Sequence, residues 1–415
     1  MVVPLGACSL YPETIKVFSG AVADIPTPSF VQNPTSTPIN LNLASIAPTN
    51  PGTNSSSCMT DSGFDACIFY KNPVAQQGKI FSPVLSSTTD LTSIQTYGVK
   101  IDATGQTLDN NNLSICADMN GSYKRFKNLT STWKTSYLNS RTNFELEQVM
   151  AYYWLNQQIN TMKQWTGNFY ASNKKIQVFA YNPILQGSVL DNAFWDGSLN
   201  VIVMGRSTGM PAVSYGLAAE IYAHEMGHAN LDYAAPDAIV DSDSCADKNG
   251  CIGAIHEGQA DYHAALMFGP GPIGESITNN MGGLSASTCV IGRTISTNSS
   301  LTADKVYNPG NCSYTMGTTD TSDDIPARGE IHDMGALYAS IWWEVRKNAA
   351  AAGKPTREVD QLFMEHLAVL QSADTFVSSL CKIVDIDKNN FSSRYSQLFS
   401  AEYKKRGLPG LESCP

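Results

Sequence analysis

The sequence predicts an α+β protein, with strands and turns in the first half and helices in the second. Three observations carry this. Short apolar runs separated by turn residues fill residues 64–116. A stretch without Gly or Pro at 142–165 repeats its apolar residues at helical spacing. Beyond residue 216, further segments of helical periodicity follow one another.

The elements follow in order. Ile68-Phe69-Tyr70 and the run from Tyr97 to Ile101 read as short strands. In 142–165, Phe144, Leu146, Val149, Tyr152, Leu155 and Ile159 mark one long helix. Residues 176–181 and 201–204 read as strands. Residues 216–232, 253–267, 334–347 and 357–371 read as helices. Five segments are expected. Residues 1–23 form an N-terminal segment, and 24–57 a Pro/Ser/Thr/Asn-rich extended tract that cannot bury a core. Residues 58–135 form a small β-rich extension, 136–233 a β-rich lobe, and 234–415 a helical lobe.

Composition narrows the function. The 415 residues carry a formal net charge of -10, and only 15% are charged, against roughly 25% in typical soluble domains. A phosphate-binding face needs clustered Lys and Arg, so nucleic acid is not the expected partner. No run of about 18 apolar residues is present, so no membrane-spanning helix is expected. The ten cysteines lack CxxC pairs and zinc-finger spacing. They read as a disulfide framework in an oxidising, extracytoplasmic setting, secreted or at the cell surface. Cys245 and Cys251 flank a polar loop that they could close. Leu5-Gly6-Ala7-Cys8 resembles a lipoprotein cleavage site, which makes Cys8 a candidate lipid anchor. The other reading pairs Cys8 with another cysteine.

The chemistry centres on His224-Glu225-Met226-Gly227-His228. Residues four apart share a helix face, so two imidazoles can hold one metal ion. Glu225 lies beside that ion and can act as general base toward water. A catalytic zinc needs a third protein ligand. Glu257, in Gly253-Ala254-Ile255-His256-Glu257-Gly258-Gln259-Ala260-Asp261, is the candidate. Asp261 can accept the second ring N–H of a ligand histidine. The remaining histidines, His256, His263 and His366, are assigned structural roles, with His256 facing away from the metal.

These two segments together resemble the gluzincin metallopeptidases, and the thermolysin and fungalysin families in particular. Asn192-Ala193-Phe194-Trp195-Asp196-Gly197-Ser198 is similar to the thermolysin-type edge strand, and Gly329-Glu330-Ile331-His332-Asp333-Met334-Gly335 to the segment carrying its transition-state histidine. Residues 337–344 are similar to the fungalysin pattern. The resemblance covers about residues 140–350; residues 1–120 resemble nothing comparable. It implies a two-lobed fold with a zinc site in the cleft between a β-rich and a helical lobe. It implies one catalytic zinc on His224, His228 and Glu257, with Glu225 and His332 catalytic. Asn192 and Ala193 would hold the substrate backbone by strand addition. Ile221, one turn before His224, would line an apolar pocket, favouring a bulky apolar residue after the scissile bond. The expected partner is a peptide or protein substrate. Calcium is also allowed by the resemblance, with no site identified.

There are departures from the family pattern. The gap between His228 and Glu257 is longer than in thermolysin, and the excess falls at Cys245 and Cys251. Where thermolysin has an Asp that orients its histidine, this chain has Ala327, so Asp323, Asp324 or Glu330 would take that part. Tyr233 is a candidate to assist His332. The Gly-x-Met-Glu-Asn type motif of the aminopeptidase relatives is absent. Residues 1–120 are either a propeptide or a permanent domain. A zinc endopeptidase is the leading reading; an inactive zinc-containing surface binding protein is the alternative.

Overall fold

In the computed structural model, the residues described are 66–73, 97–99, 108–118, 123–124, 144–185, 188–206, 213–238, 240, 242–270, 273–274, 302–304 and 329–415. Cys8, the Pro-rich tract, Asp323, Asp324 and Ala327 lie outside them.

Strands β1 (Ala66–Ile68) and β2 (Tyr97–Val99) pair antiparallel. The second lies within the run read from Tyr97 to Ile101, whereas the first shares only Ile68 with the run read at 68–70 and starts two residues earlier. The main sheet comprises β3 (Leu113–Asp118), β4 (Tyr123–Lys124), β5 (Ile176–Phe179), β8 (Ala193–Asp196) and β9 (Val201–Met204), in the order β4-β3-β5-β9-β8. A small hairpin, β6 (Ile184–Leu185) and β7 (Ser188–Val189), lies between β5 and β8 in sequence. β3, β5 and β9 are parallel, and antiparallel β4 and β8 close the two edges. Every residue of β9 is buried, as a strand covered on both faces requires. Helix α1 (Glu145–Thr166) lies between parallel β3 and β5 in sequence and packs on β3. Glu145 and Glu147 sit in its first turn, where the helix dipole favours negative charge. Gly167 ends it in the left-handed region, φ 76°, donating its N–H to Lys163 O.

The helical part starts with α2 (Ala219–Ala234) and α3 (Ile252–Phe268), and continues with α4 (Ile331–Ala351), α5 (Thr356–Leu367), α6 (Phe376–Phe391) and α7 (Ser396–Lys405). The architecture is therefore α+β, with the sheet in the N-terminal part and a mostly helical C-terminal part, as expected from the sequence. The α6 and α7 helices, strands β3 and β4 and the β6–β7 hairpin are additions to the elements read from sequence. α6 starts at a capping box, Thr375 with Ser378. Its Asp387 carboxylate accepts from the N–H groups of Tyr395 and Ser396, which fixes the turn into α7.

α3 packs on both α2 and α4. Glycines let these three backbones meet. A Cβ on Gly227 of α2 would stand 2.8 Å from Ala260 Cα of α3, and one on Gly335 of α4 would stand 2.7 Å from Glu257 Cβ. Real side chains do not fit at such distances, so each glycine is a condition of the packing.

The segment between α2 and α3 carries the Cys245–Cys251 disulfide, Cα–Cα 5.3 Å, as the loop reading allowed. It does more than close itself. Cys245 N–H donates to Gly329 O, Ile331 N–H donates to Asp243 O, and Ser244 bridges Glu330. The inserted loop thus holds the start of α4. A second disulfide, Cys381–Cys414, ties α6 to the chain's end, and Cys116 is also disulfide-bonded. Among the described residues no helix is long and apolar enough to cross a membrane.

Candidate metal centre

His224, Glu225 and His228 all lie on α2 and are buried, at 1%, 3% and 9% exposure. Their ligand-capable atoms lie within 4.8 Å of one another. The helix places both rings on one side, and their Nε2 atoms face each other at 2.9 Å. Glu257 enters from α3. Its Oε2 is 3.3 Å from His224 Nε2 and its Oε1 3.6 Å from His228 Nε2. Three ligands held about 2.0–2.1 Å from one tetrahedral ion stand about 3.3–3.4 Å apart. The distances 2.9, 3.3 and 3.6 Å bracket that value, so the donor set fits one zinc ion.

The surrounding contacts support this fit. Asp261, one turn after Glu257 on α3 and 1% exposed, brings Oδ1 within 2.8 Å of His224 Nδ1. The contact is close but bent away from a straight hydrogen bond. A carboxylate there favours the tautomer with its proton on Nδ1, which turns the Nε2 lone pair toward the metal group.

His332 sits in the first turn of α4, with its side chain 41% exposed. Its Nε2 is 3.5 Å from Glu257 Oε2, so it reaches the edge of the same group. Its Nδ1 hydrogen-bonds to Glu330. Of the three acids that could take the orienting part, Glu330 is the one among the described residues, and it is joined to His332. Glu330 also caps α4 by accepting from Asp333 N–H at 2.9 Å. Burial alone would raise its carboxyl. The His332 hydrogen bond and charge, with the backbone N–H bonds, outweigh that and hold it below the ordinary glutamate value.

The substrate-side residues are more dispersed. β8 is the outermost strand of the sheet, pairing Ala193 with Met204 of β9. Asn192 is exposed just before it, and its carbonyl accepts from Gly205 N–H. Ile221 is buried at 5% exposure on α2, with its Cδ1 facing Gly274.

Two expectations need correction. The Tyr233 hydroxyl is engaged elsewhere than at His332: it donates to Asn200 beside the β8–β9 turn. His256 does not face away from the metal group. Its Nδ1 lies 2.6 Å from His228 Nδ1, and its Nε2 lies 3.1 Å from Asp232 Oδ1. Its ring stacks on that of His228, with centroids 4.7 Å apart. Helical spacing within α3 gave no view of a partner on α2. One local signal existed: Asp232 is four residues after His228, on the same helix face.

Residues 85–232 match the model of the thermolysin metallopeptidase catalytic domain. The resemblance to thermolysin-like gluzincins is therefore shown, over a segment that ends just after the two-histidine helix motif. Glu257, Asp261 and His332 lie beyond the matched segment. Among solved structures, the chain is similar to the precursor of protealysin, a metalloproteinase from Serratia proteamaculans. The identity is 14% and the TM-score 0.46, covering 74% of this chain and 90% of that one. No curated protein matches the chain.

Proposed function

We propose that the protein is a zinc-dependent endopeptidase acting outside the cytoplasm. The observation that carries this is the convergence of His224, His228 and Glu257 at the spacing of a tetrahedral ion, with Glu225 inside the same buried group. His224, His228 and Glu257 would hold the zinc, which would supply Lewis acidity for the peptide carbonyl and lower the pKa of water toward about 7. Glu225 takes the proton from the attacking water and passes it to the departing amine. His332, steadied by Glu330, donates toward the carbonyl oxygen as negative charge develops on it. The substrate backbone adds alongside β8, an end strand of the sheet among the described residues, beside Asn192 and Ala193. Ile221, one turn ahead of His224, shapes an apolar pocket that favours a bulky apolar residue after the cleaved bond. The disulfides support an oxidising location.

The test combines metal content with cleavage of a peptide library. About one zinc per chain is expected, with proteolysis lost in a chelator and restored by zinc. Glu225→Gln is expected to keep the metal and lose about 10²–10⁴-fold or more in kcat. Full activity in that variant would overturn the general-base role. Tight zinc binding with no cleavage of any library member would favour a binding protein instead.

A further inference from the structure

Three side chains join β8, an end strand of the sheet among the described residues, to a metal-site histidine. Trp195 of β8 donates its indole N–H to Asp232 Oδ2 at 2.6 Å. Asp232 Oδ1 faces His256 Nε2 at 3.1 Å, and His256 Nδ1 faces His228 Nδ1 at 2.6 Å. A Cβ on Gly197 would stand 2.7 Å from Asp232 Oδ2 and 3.3 Å from Trp195 Nε1. The missing side chain there leaves the carboxylate room.

The protons can be placed. Indole nitrogen only donates and a carboxylate only accepts. Asp232 therefore accepts on both oxygens, and His256 carries its proton on Nε2. Its Nδ1 is then a lone pair, able to accept from His228 only if His228 carries its own proton on Nδ1. That leaves His228 Nε2 as the lone pair facing Glu257 and His224. No other arrangement of neutral rings gives each of the three relay contacts one donor and one acceptor.

We infer that Trp195, Asp232 and His256 form a hydrogen-bonded relay that fixes the tautomer and ring orientation of His228 for zinc, and that His256 is its obligatory acceptor. This rests on the zinc reading above. The two ligand histidines are then held differently. His224 leans on a carboxylate directly, whereas His228 reaches one through a second imidazole.

The relay makes a prediction that a packing role does not. In Asp232→Asn one oxygen becomes an NH₂. If that NH₂ faces Trp195, two donors meet. If it faces His256, the His256 tautomer flips and two donors meet at His228. Removing the indole donor resolves the conflict. Zinc affinity would be measured by chelator competition on protein stripped and reloaded with zinc, with the visible spectrum of the cobalt-substituted protein recorded alongside. Asp232→Asn is expected to weaken zinc about 10–100-fold. Adding Trp195→Phe to it is expected to restore most of that loss and the parent cobalt spectrum. A second pair guards against a variant that does not fold. His256→Phe, which keeps the ring but has no acceptor, is expected to weaken zinc by a similar factor. His256→Asn, which returns an oxygen toward His228, is expected to bind several-fold better than His256→Phe. Parent affinity in both Asp232→Asn and His256→Phe, or no restoration by Trp195→Phe, overturns the relay. A parent chain that binds no zinc overturns the zinc reading instead.

Discussion

His263 and His366 are buried as deeply as His224 and His228, yet their surroundings differ in kind. His263 has one partner for each nitrogen: Nδ1 toward Gln259 O at 2.8 Å and Nε2 toward the Asn230 amide at 3.2 Å. His366 Nε2 meets Ser379 Oγ at 3.0 Å, among Trp342 and neighbouring aromatic rings. Burial pushes His263 down to about 4 and His366 down to about 3, so both are neutral packing residues at pH 7. At the metal group, by contrast, two Nε2 atoms point at each other and at a carboxylate. Depth does not distinguish a ligand histidine from a core histidine here. Convergence of electron-pair donors on one point does.

The comparison can be broken most forcefully at Glu257. Glu257→Ala leaves two ligands, so zinc affinity is expected to fall by more than the roughly 100-fold upper range for losing an outer partner. Elemental analysis after dialysis would show it. Retained stoichiometric zinc would mean that His332 or another group supplies the third bond.

The core histidines should respond to pH instead. Their folded values lie below the free-histidine value of 6.5, so the unfolded chain binds protons more readily in between. Their stabilising contribution is present above about 6.5 and is lost as pH falls toward their folded values. Each costs about 1.4 kcal/mol per pH unit within that window. In metal-free protein, His366→Gln is expected to reduce the stability lost between pH 7 and 5 by about 2 kcal/mol. Denaturant titrations at both pH values would measure this. An unchanged acid limb would remove the distinction between the two histidine classes.

The smallest effect marks the boundary of the site. Tyr233 is held by Asn200 and its burial raises its pKa to about 12. Tyr233→Phe is expected to leave kcat within about twofold and to cost about 1 kcal/mol of stability for the lost hydrogen bond. A large fall in kcat would return Tyr233 to the machinery.

Much of this centre was legible in sequence because its parts obey local periodicity. His224 with His228, and Glu257 with Asp261, are each four apart on one helix, and α-helical geometry alone aligns them. Long helices such as α1 were legible for the same reason. The His228–His256 contact was not, because it joins two helices and depends on how they cross. The helices α6 and α7 escaped because they mix polar residues into their buried faces, such as Ser379, Asp387 and Glu402. Their partners are buried groups, Arg406 for Glu402 and Tyr395 for Asp387, that only the fold brings together. The role of Glu330 likewise emerges only once the inserted loop has set the start of α4.

The glycines at the helix contacts carry a consequence for tolerance. Zinc–ligand bonds are defined to within about 0.2 Å. Three separate helices deliver His224 and His228, Glu257, and His332, so their mutual spacing must hold to a similar margin. Backbone in direct contact at Gly227 and Gly335 behaves as a hard stop, with no flexible side chain between to absorb error. The accuracy of the centre is thus machined into the scaffold before any metal arrives. A single methyl group added at Gly227 would put the centre out of gauge without touching one of its ligands, and one added at Gly335 would press on Glu257 itself.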